Sequence, residues 1–303
     1  MTKNSATIII LISGVLWGTT SIFVKCMTPL GFSPAQIGII RCVFSAAIMF
    51  CLILIRRPSA LKICLRDIWI FIGTGLISNS LFNLCYFTTI ARSEASIAVG
   101  LLYTSPIFVT VISAIVFKDK ITKAKIIAVI STMVGCILLS GILSNSGGMT
   151  IGIFMVGIGA GFFYGLYSIF GRFAVKDYSP LTITFYTFLF AAFGSIPYSN
   201  VPSIPGIITA SPQLILWGIG IAIIGTIGPY VLYTIGLKYI ESSKAAVFAT
   251  MEPLTASLIG IFMFHEPVTT LKIIGILLIM LSTVILNITP PPIMIRRKKR
   301  SSH

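Results

Sequence analysis

Acidic side chains are nearly missing from this chain. Only Asp67, Glu94, Asp119, Asp177, Glu241, Glu252 and Glu266 occur in 303 residues, and charged residues of both signs make up 10% of the composition. A soluble protein carries about 25%. So few charges cannot cover a water-facing surface, which excludes a soluble enzyme and a disordered tail protein. Histidine is equally scarce, and His265 and His303 are too few and too far apart for a metal site. Six cysteines (Cys26, Cys42, Cys51, Cys64, Cys85, Cys136) are scattered with no C-x-x-C pair. They read as free thiols packing like small apolar groups, not as a disulfide scaffold. No G-x-x-x-x-G-K-[ST] stretch occurs, so nothing supports ATP-driven pumping by this chain. No residue pattern requires a cofactor.

What is abundant is apolar: 56% of residues, with a mean hydropathy of +1.03. Such a chain is solvated mainly by lipid. Its net charge of +15 comes from 22 Lys+Arg. Those residues sit in short gaps between apolar runs, a pattern of membrane topology and not of a nucleic-acid partner. A span needs about 20 largely apolar residues to cross a ~30 Å hydrocarbon core. Ten runs qualify: 5–27, 34–55, 67–91, 95–117, 123–142, 151–173, 180–198, 213–238, 243–264 and 270–289. The first run lacks a clear cleavage site and reads as a retained span. With the N-terminus inside, 18 of the 22 basic residues fall on cytoplasmic segments, including Arg56, Arg57, Lys62, Lys118, Lys125, Arg172, Lys176 and the Arg296–Arg300 tail. A multi-pass protein of the cell (cytoplasmic) membrane with both termini cytoplasmic is expected.

An internal repeat runs at a constant offset of 147 residues. Ser13-Gly14-x-x-Trp17-Gly18-x-x-Ser21-Ile22-Phe23 recurs as Ala160-Gly161-x-x-Tyr164-Gly165-x-x-Ser168-Ile169-Phe170. Tyr86 falls on Tyr233, Glu94 on Glu241, Ser96 on Ser243, Pro106 on Pro253, and Lys125 on Lys272. Each half holds five spans, so the second enters the membrane from the opposite side, and its charge bias is reversed accordingly. The expected fold is all-α integral membrane, ten transmembrane helices forming two five-helix inverted-topology repeats, 1–143 and 150–290, followed by a basic tail, 291–303. Repeats of this kind build alternating-access transporters.

Ser96-x-Ala98, Ser105-Pro106, Asp119-Lys120-Ile121-Thr122 and Gly135 form one series; Ser243-x-Ala245, Glu252-Pro253, Glu266-Pro267-Val268-Thr269 and Gly275 repeat it. With Trp17-Gly18 and Arg41, this set resembles the EamA type of the drug/metabolite transporter superfamily over nearly the whole chain. Lys118 and His265 stand where that family usually has Gly, and Asp119 where it has Glu. The resemblance implies a carrier of small metabolites, amino acids among them, with export the commoner direction.

Glu252 is the sharpest site candidate. A carboxylate about ten residues into a span costs roughly a few kcal/mol unless paired or hydrated, and such residues are functional by default. It could bind and release a proton, contact substrate, or lock helices together. Arg41 could pair with Glu252, attract an anionic group, or snorkel outward. A polar stripe follows helical spacing: Asn79, Asn83 and Tyr86 in the third span, answered by Thr226, Tyr230 and Tyr233 in the eighth. The first and sixth spans contribute Trp17, Thr20, Ser21 and Tyr164, Tyr167, Ser168, and the fourth adds Tyr103. These residues are expected to line a central cavity, the competing role being helix–helix hydrogen bonding. Hydroxyls, amides and rings suit a zwitterionic or aromatic solute. Glu94 and Glu241 sit at span starts, as helix caps would, and Pro106, Pro229 and Pro253 are expected kinks. The expected function is a monomeric secondary transporter exporting small metabolites such as amino acids, with protons as candidate coupling ion. An uncoupled facilitator or exchanger is the alternative. An intramembrane enzyme would need a nucleophile–base pair or a metal cluster, and the spans offer one carboxylate and no histidine.

Overall fold

The computed structural model describes residues 2–92, 95–140, 150–265 and 268–288, and no strand occurs among them. Lipid cannot satisfy a backbone N–H or C=O, so a chain this apolar must close its hydrogen bonds within helices. In chain order these are α1 (Lys3–Gly18), α2 (Thr20–Met27), α3 (Pro34–Arg56), α4 (Ile68–Ile72), α5 (Leu81–Arg92), α6 (Ala95–Leu102), α7 (Ser105–Phe117) and α8 (Lys123–Ser140). The second half continues with α9 (Ile151–Ala174), α10 (Pro180–Ser195), α11 (Ile204–Ala210), α12 (Gln213–Ala222), α13 (Gly228–Leu237), α14 (Ser242–Phe248), α15 (Met251–Phe264) and α16 (Thr270–Ile288).

Eight continuous helical stretches are long and apolar enough to cross a membrane, from Lys3–Leu30 to Ser242–Phe264. Helices α8 and α16 occupy the two remaining expected positions and pack on each other. A Cβ on Gly135 of α8 would lie 2.8 Å from the Gly275 carbonyl oxygen of α16, and Thr132 Oγ1 donates to Ser282 Oγ at 2.8 Å. The interior holds polar side chains among its apolar packing, and the exterior is apolar. Ser78, Asn79, Asn83, Thr187, Thr234 and Ser242 are buried, while Ile115, Leu216 and Phe262 are among the most exposed side chains. Local signals set the helix starts. Ser33 and Gln36 form a reciprocal capping box ahead of α3, and Ser179-Pro180 opens α10 with a side-chain cap. The loop expected between Pro197 and Pro212 contains the short helix α11, with Pro205 in its first turn.

Four spans are interrupted. Between α4 and α5, Gly73–Ser80 is wound as a π-helix, and between α12 and α13 so is Ile223–Ile227. Helix α6 stops at Leu102 and α7 begins at Ser105; α14 stops at Phe248 and α15 begins at Met251. Both kinds of interruption recur at nearly equivalent places under the 147-residue offset. They also explain the prolines. Pro106 and Pro253 lie in the first turns of α7 and α15, where a missing N–H costs nothing. They start new helices instead of kinking continuous ones. Pro229 likewise opens α13 after the π turn.

Candidate substrate site

Two neighbouring layers meet at these interruptions. The first is aromatic. Trp17 of α1, Tyr167 of α9 and Tyr230 and Tyr233 of α13 are all buried. Trp17 meets the Tyr230 ring edge-on at 5.1 Å, and Tyr167 meets it at 4.9 Å. Phe188 of α10 closes on the same ring at 4.8 Å. The phenols are held by hydrogen bonds that cross between helices. Asn79 Nδ2 donates to Tyr230 Oη at 2.8 Å, and Asn83 Nδ2 donates to Asn79 Oδ1 at 3.3 Å. Tyr167 shares a 2.8 Å bond with Thr234 Oγ1, and Ser168 a 2.7 Å bond with Tyr233. The enclosed space beside these rings is about 20 Å³, room for a water molecule and not a metabolite. Of the stripe residues, Trp17, Asn79, Tyr164, Tyr167, Ser168, Tyr230 and Tyr233 line this small cavity.

The second layer surrounds Glu252. Its carboxylate Oε2 accepts a 2.9 Å hydrogen bond from Tyr164 Oη of α9. Because α14 breaks off before it, Glu252 lies in the first turn of α15, not in the middle of an unbroken helix. A helix N-terminus carries about half a positive charge, so the break supplies stabilisation that a continuous span could not. The approach of α1 makes the corner tight. A Cβ on Gly18 would lie 2.7 Å from the Glu252 carbonyl oxygen and 2.5 Å from Thr255 Cβ. Gly161 of α9 lies against α6 in the same manner, its Cβ position 2.9 Å from the Leu101 carbonyl oxygen. Tyr103 is buried and packs with Phe82 and Cys136, Tyr86 and Tyr164 bordering them. Glu252 itself is half-buried.

Arg41 of α3 is half-buried, and its Nε has no hydrogen-bond partner. The ion pairs among described residues lie elsewhere. Thr20 and Ser21 stand outside the cavity wall: Thr20 Oγ1 reaches the Gly225 carbonyl at 3.4 Å, and Ser21 Oγ donates to the Gly18 carbonyl at the end of α1 at 2.8 Å. Conversely, Ser78, Phe82, Val109, Ala246 and Ala249 line the cavity without having been singled out by sequence, and Ser105, marked there only by its place before Pro106, lines it too. Small or apolar residues carry no signal by type; only their place beside a stripe residue could have suggested them.

The face expected to be cytoplasmic is tied across the two halves of the chain. Arg172 of α9 forms a two-pronged ion pair with Asp119, one bond being 3.0 Å long. Lys125 of α8 meets Glu241 at 2.5 Å. Glu241 makes no side-chain cap to α14, so an ion pair replaces the expected capping role; Glu94 lies outside the described residues. Tyr178 donates to Asp67 Oδ2 at 2.6 Å and accepts from the Cys64 N–H at 3.1 Å. Burial at this junction, followed by the Asp67 contact, holds the Tyr178 phenol above its ordinary range. The matching of Glu94 with Glu241 and Lys125 with Lys272 was the available signal that these charges do more than set topology.

Comparison with known proteins fits this architecture. The family described as "EamA-like transporter family" matches residues 4–141 and again 150–288. An uncharacterized transporter of Archaeoglobus fulgidus is 29% identical over 268 residues, 88% of this chain and 90% of its own length. The uncharacterized transporter YwfM of Bacillus subtilis is 26% identical over 293 residues, 96% of each chain. A solved crystal structure superposes with a TM-score of 0.76 over 94% of this chain and 97% of its own, at 16% identity, a likeness of fold. With both halves of the chain matched and eight helices long and apolar enough to span a membrane, the protein is a multi-pass membrane transporter, not an enzyme, and it belongs to the EamA-like transporter family.

Proposed function

We propose that this protein is a secondary transporter that exports a small zwitterionic metabolite, of the amino-acid class, across the cytoplasmic membrane by alternating access. Its ten spans form two inverted five-helix repeats, 1–143 and 150–290, with both termini cytoplasmic, and the monomer is the working unit. The observation that carries this reading is Glu252: a half-buried carboxyl at a helix start within a span, held by one tyrosine. Broken helices whose ends point into the bundle are where secondary transporters hold substrates and coupling ions. Arg41, with an unsatisfied Nε, supplies a counter-charge nearby. A zwitterion can offer its ammonium to Glu252 and its carboxylate to Arg41, while Tyr86, Tyr103 and Tyr164 offer rings and hydroxyls. In the coupled cycle a proton and the substrate ammonium compete for the same carboxylate.

A second reading rests on the first turn of α15. The helix N-terminus favours an anionic Glu252, and a permanently charged Glu252 would bind substrate without proton exchange, as in a facilitator. Uptake into inside-out vesicles, across a panel of amino acids, amines and organic acids, separates the two. Saturable accumulation that needs an inside-acid gradient supports the coupled exporter; saturable entry that only equilibrates supports the facilitator. Absence of flux for every panel member overturns the substrate class.

A further inference from the structure

The 147-residue offset carries Lys25 onto Arg172 and Phe117 onto Phe264, and the structure holds both pairs in the same contact. The Arg172 guanidinium lies 4.2 Å from the centroid of the Phe117 ring, and the Lys25 ammonium 4.1 Å from that of Phe264. Each phenylalanine is the last residue of its helix, α7 or α15. Each helix then ends on a non-glycine residue in the left-handed region, Lys118 at φ 57° and His265 at φ 51°. Such a conformation is uncommon without glycine, yet the chain adopts it twice, at equivalent positions. In both contacts the cation comes from one half of the chain and the ring from the other.

Arg172 also grips Asp119 with both guanidinium nitrogens, and Asp119 is nearly buried, its side chain 7% exposed. A planar fork that stacks on a ring and pairs with a carboxylate at once holds a fixed geometry. A lysine is a mobile point charge. Lys125 and Glu241 join the same two halves on the Arg172 side. Buried ion pairs are weak sources of stability, and setting one arrangement over another is among their better-attested uses. Five crossings of the membrane separate Lys25, at the end of the first span, from Arg172, at the end of the sixth. The pairs therefore sit on opposite faces.

We infer that the two cation–ring contacts are a matched pair of end clamps for the alternating-access cycle, a conclusion resting on the transport reading above. Arg172 with Phe117 and Asp119 shuts one face, and Lys25 with Phe264 shuts the other. One clamp opens while its counterpart holds. Arg172, Asp119 and Lys25 are positioning residues; none touches the substrate.

Ser21 and Ser168 report on this directly, since each lies one helical turn before its clamp and they are equivalents under the same offset. In a background with the six native cysteines replaced, Ser21→Cys or Ser168→Cys would be labelled with a membrane-impermeant maleimide. Right-side-out and inside-out vesicles give access to each face. Arg172→Gln should raise labelling of the cysteine at 168 from the Arg172 face about tenfold and lower labelling of that at 21 from the other. Arg172→Lys should fall between. Lys25→Gln should do the reverse. Exchanging the charges, Asp119→Arg with Arg172→Asp, should return labelling toward that of the parent. Unchanged labelling in an Arg172→Gln protein that elutes as a monodisperse species overturns the inference. So does an equal rise at both reporters from both faces, which means a loosened fold. Labelling needs no substrate, so a failed flux assay leaves the clamps standing. Robust flux with flat labelling removes the clamps alone.

Discussion

The fourth and ninth spans use the same backbone device with different chemistry. Both break near mid-span, and both restart with a proline in the first turn: Ser105-Pro106 in α7 and Met251-Glu252-Pro253 in α15. Each restart receives a glycine-rich helix from the other half, α9 against the first and α1 against the second. Yet Ser105 is almost fully buried in the cavity wall, whereas Glu252 is half-buried and bonded to Tyr164. Duplication supplied two helix starts within the membrane, and only one was loaded with a carboxyl. The fold needs the break; the transport reading needs the charge.

That comparison can be broken from either side. The largest effect is expected from Ser105→Glu, which puts a second carboxyl into a wall with room for a single water. An ionisable group at membrane depth costs about 3 kcal/mol, so thermal unfolding in detergent should show a marked loss of stability. A variant as stable as the parent would mean that the ninth span is not specially prepared for its carboxyl. Tyr164→Phe comes next. It removes one hydrogen bond to a charged acceptor, worth about 1.5–3 kcal/mol, and should slow saturable flux by roughly tenfold or more and lower the melting temperature by several degrees. Gly18→Ala and Gly161→Ala sharpen the pairing of helices. Each forces a Cβ to within 2.5 Å of a neighbouring side chain, and each should cost about 1–3 kcal/mol. Gly18→Ala should also depress flux more than Gly161→Ala does, because its neighbour carries Glu252. The smallest effect is expected from Thr234→Val, which loses the bond to Tyr167 at about 0.6 kcal/mol, detectable only as a small shift in melting temperature.

Much of the architecture could be read from residue order. Apolar runs of about 20 residues mark the helices, and the offset of 147 pairs Trp17 with Tyr164 and Lys125 with Lys272. The breaks at 103–104 and 249–250 could not be read in this way. An apolar run looks the same whether its helix is continuous or restarted, and a proline in the first turn of a restart resembles a proline inside a kink. The ion pairs were hidden for a related reason. Arg172 and Asp119 are far apart in sequence, and basic residues at span ends already have an explanation in topology. Glu252 stood out because a lone carboxyl within a span has no cheap alternative. Its neighbour Tyr164 was legible as a stripe residue, but the bond between them depends on how α9 and α15 pack.

Flux in inside-out vesicles with Glu252→Gln beside Ser105→Ala tests the central claim most directly. The two substitutions fall on equivalent helix starts and change only the group that distinguishes them. With the panel solute that the wild type accumulates under an inside-acid gradient, the account predicts that Glu252→Gln abolishes accumulation. Ser105→Ala should leave it within about twofold of wild type, since removing a small hydroxyl beside a water-sized cavity costs little. Accumulation by Glu252→Gln at the wild-type level would contradict the account and leave Glu252 as a structural fastening for α9 and α15.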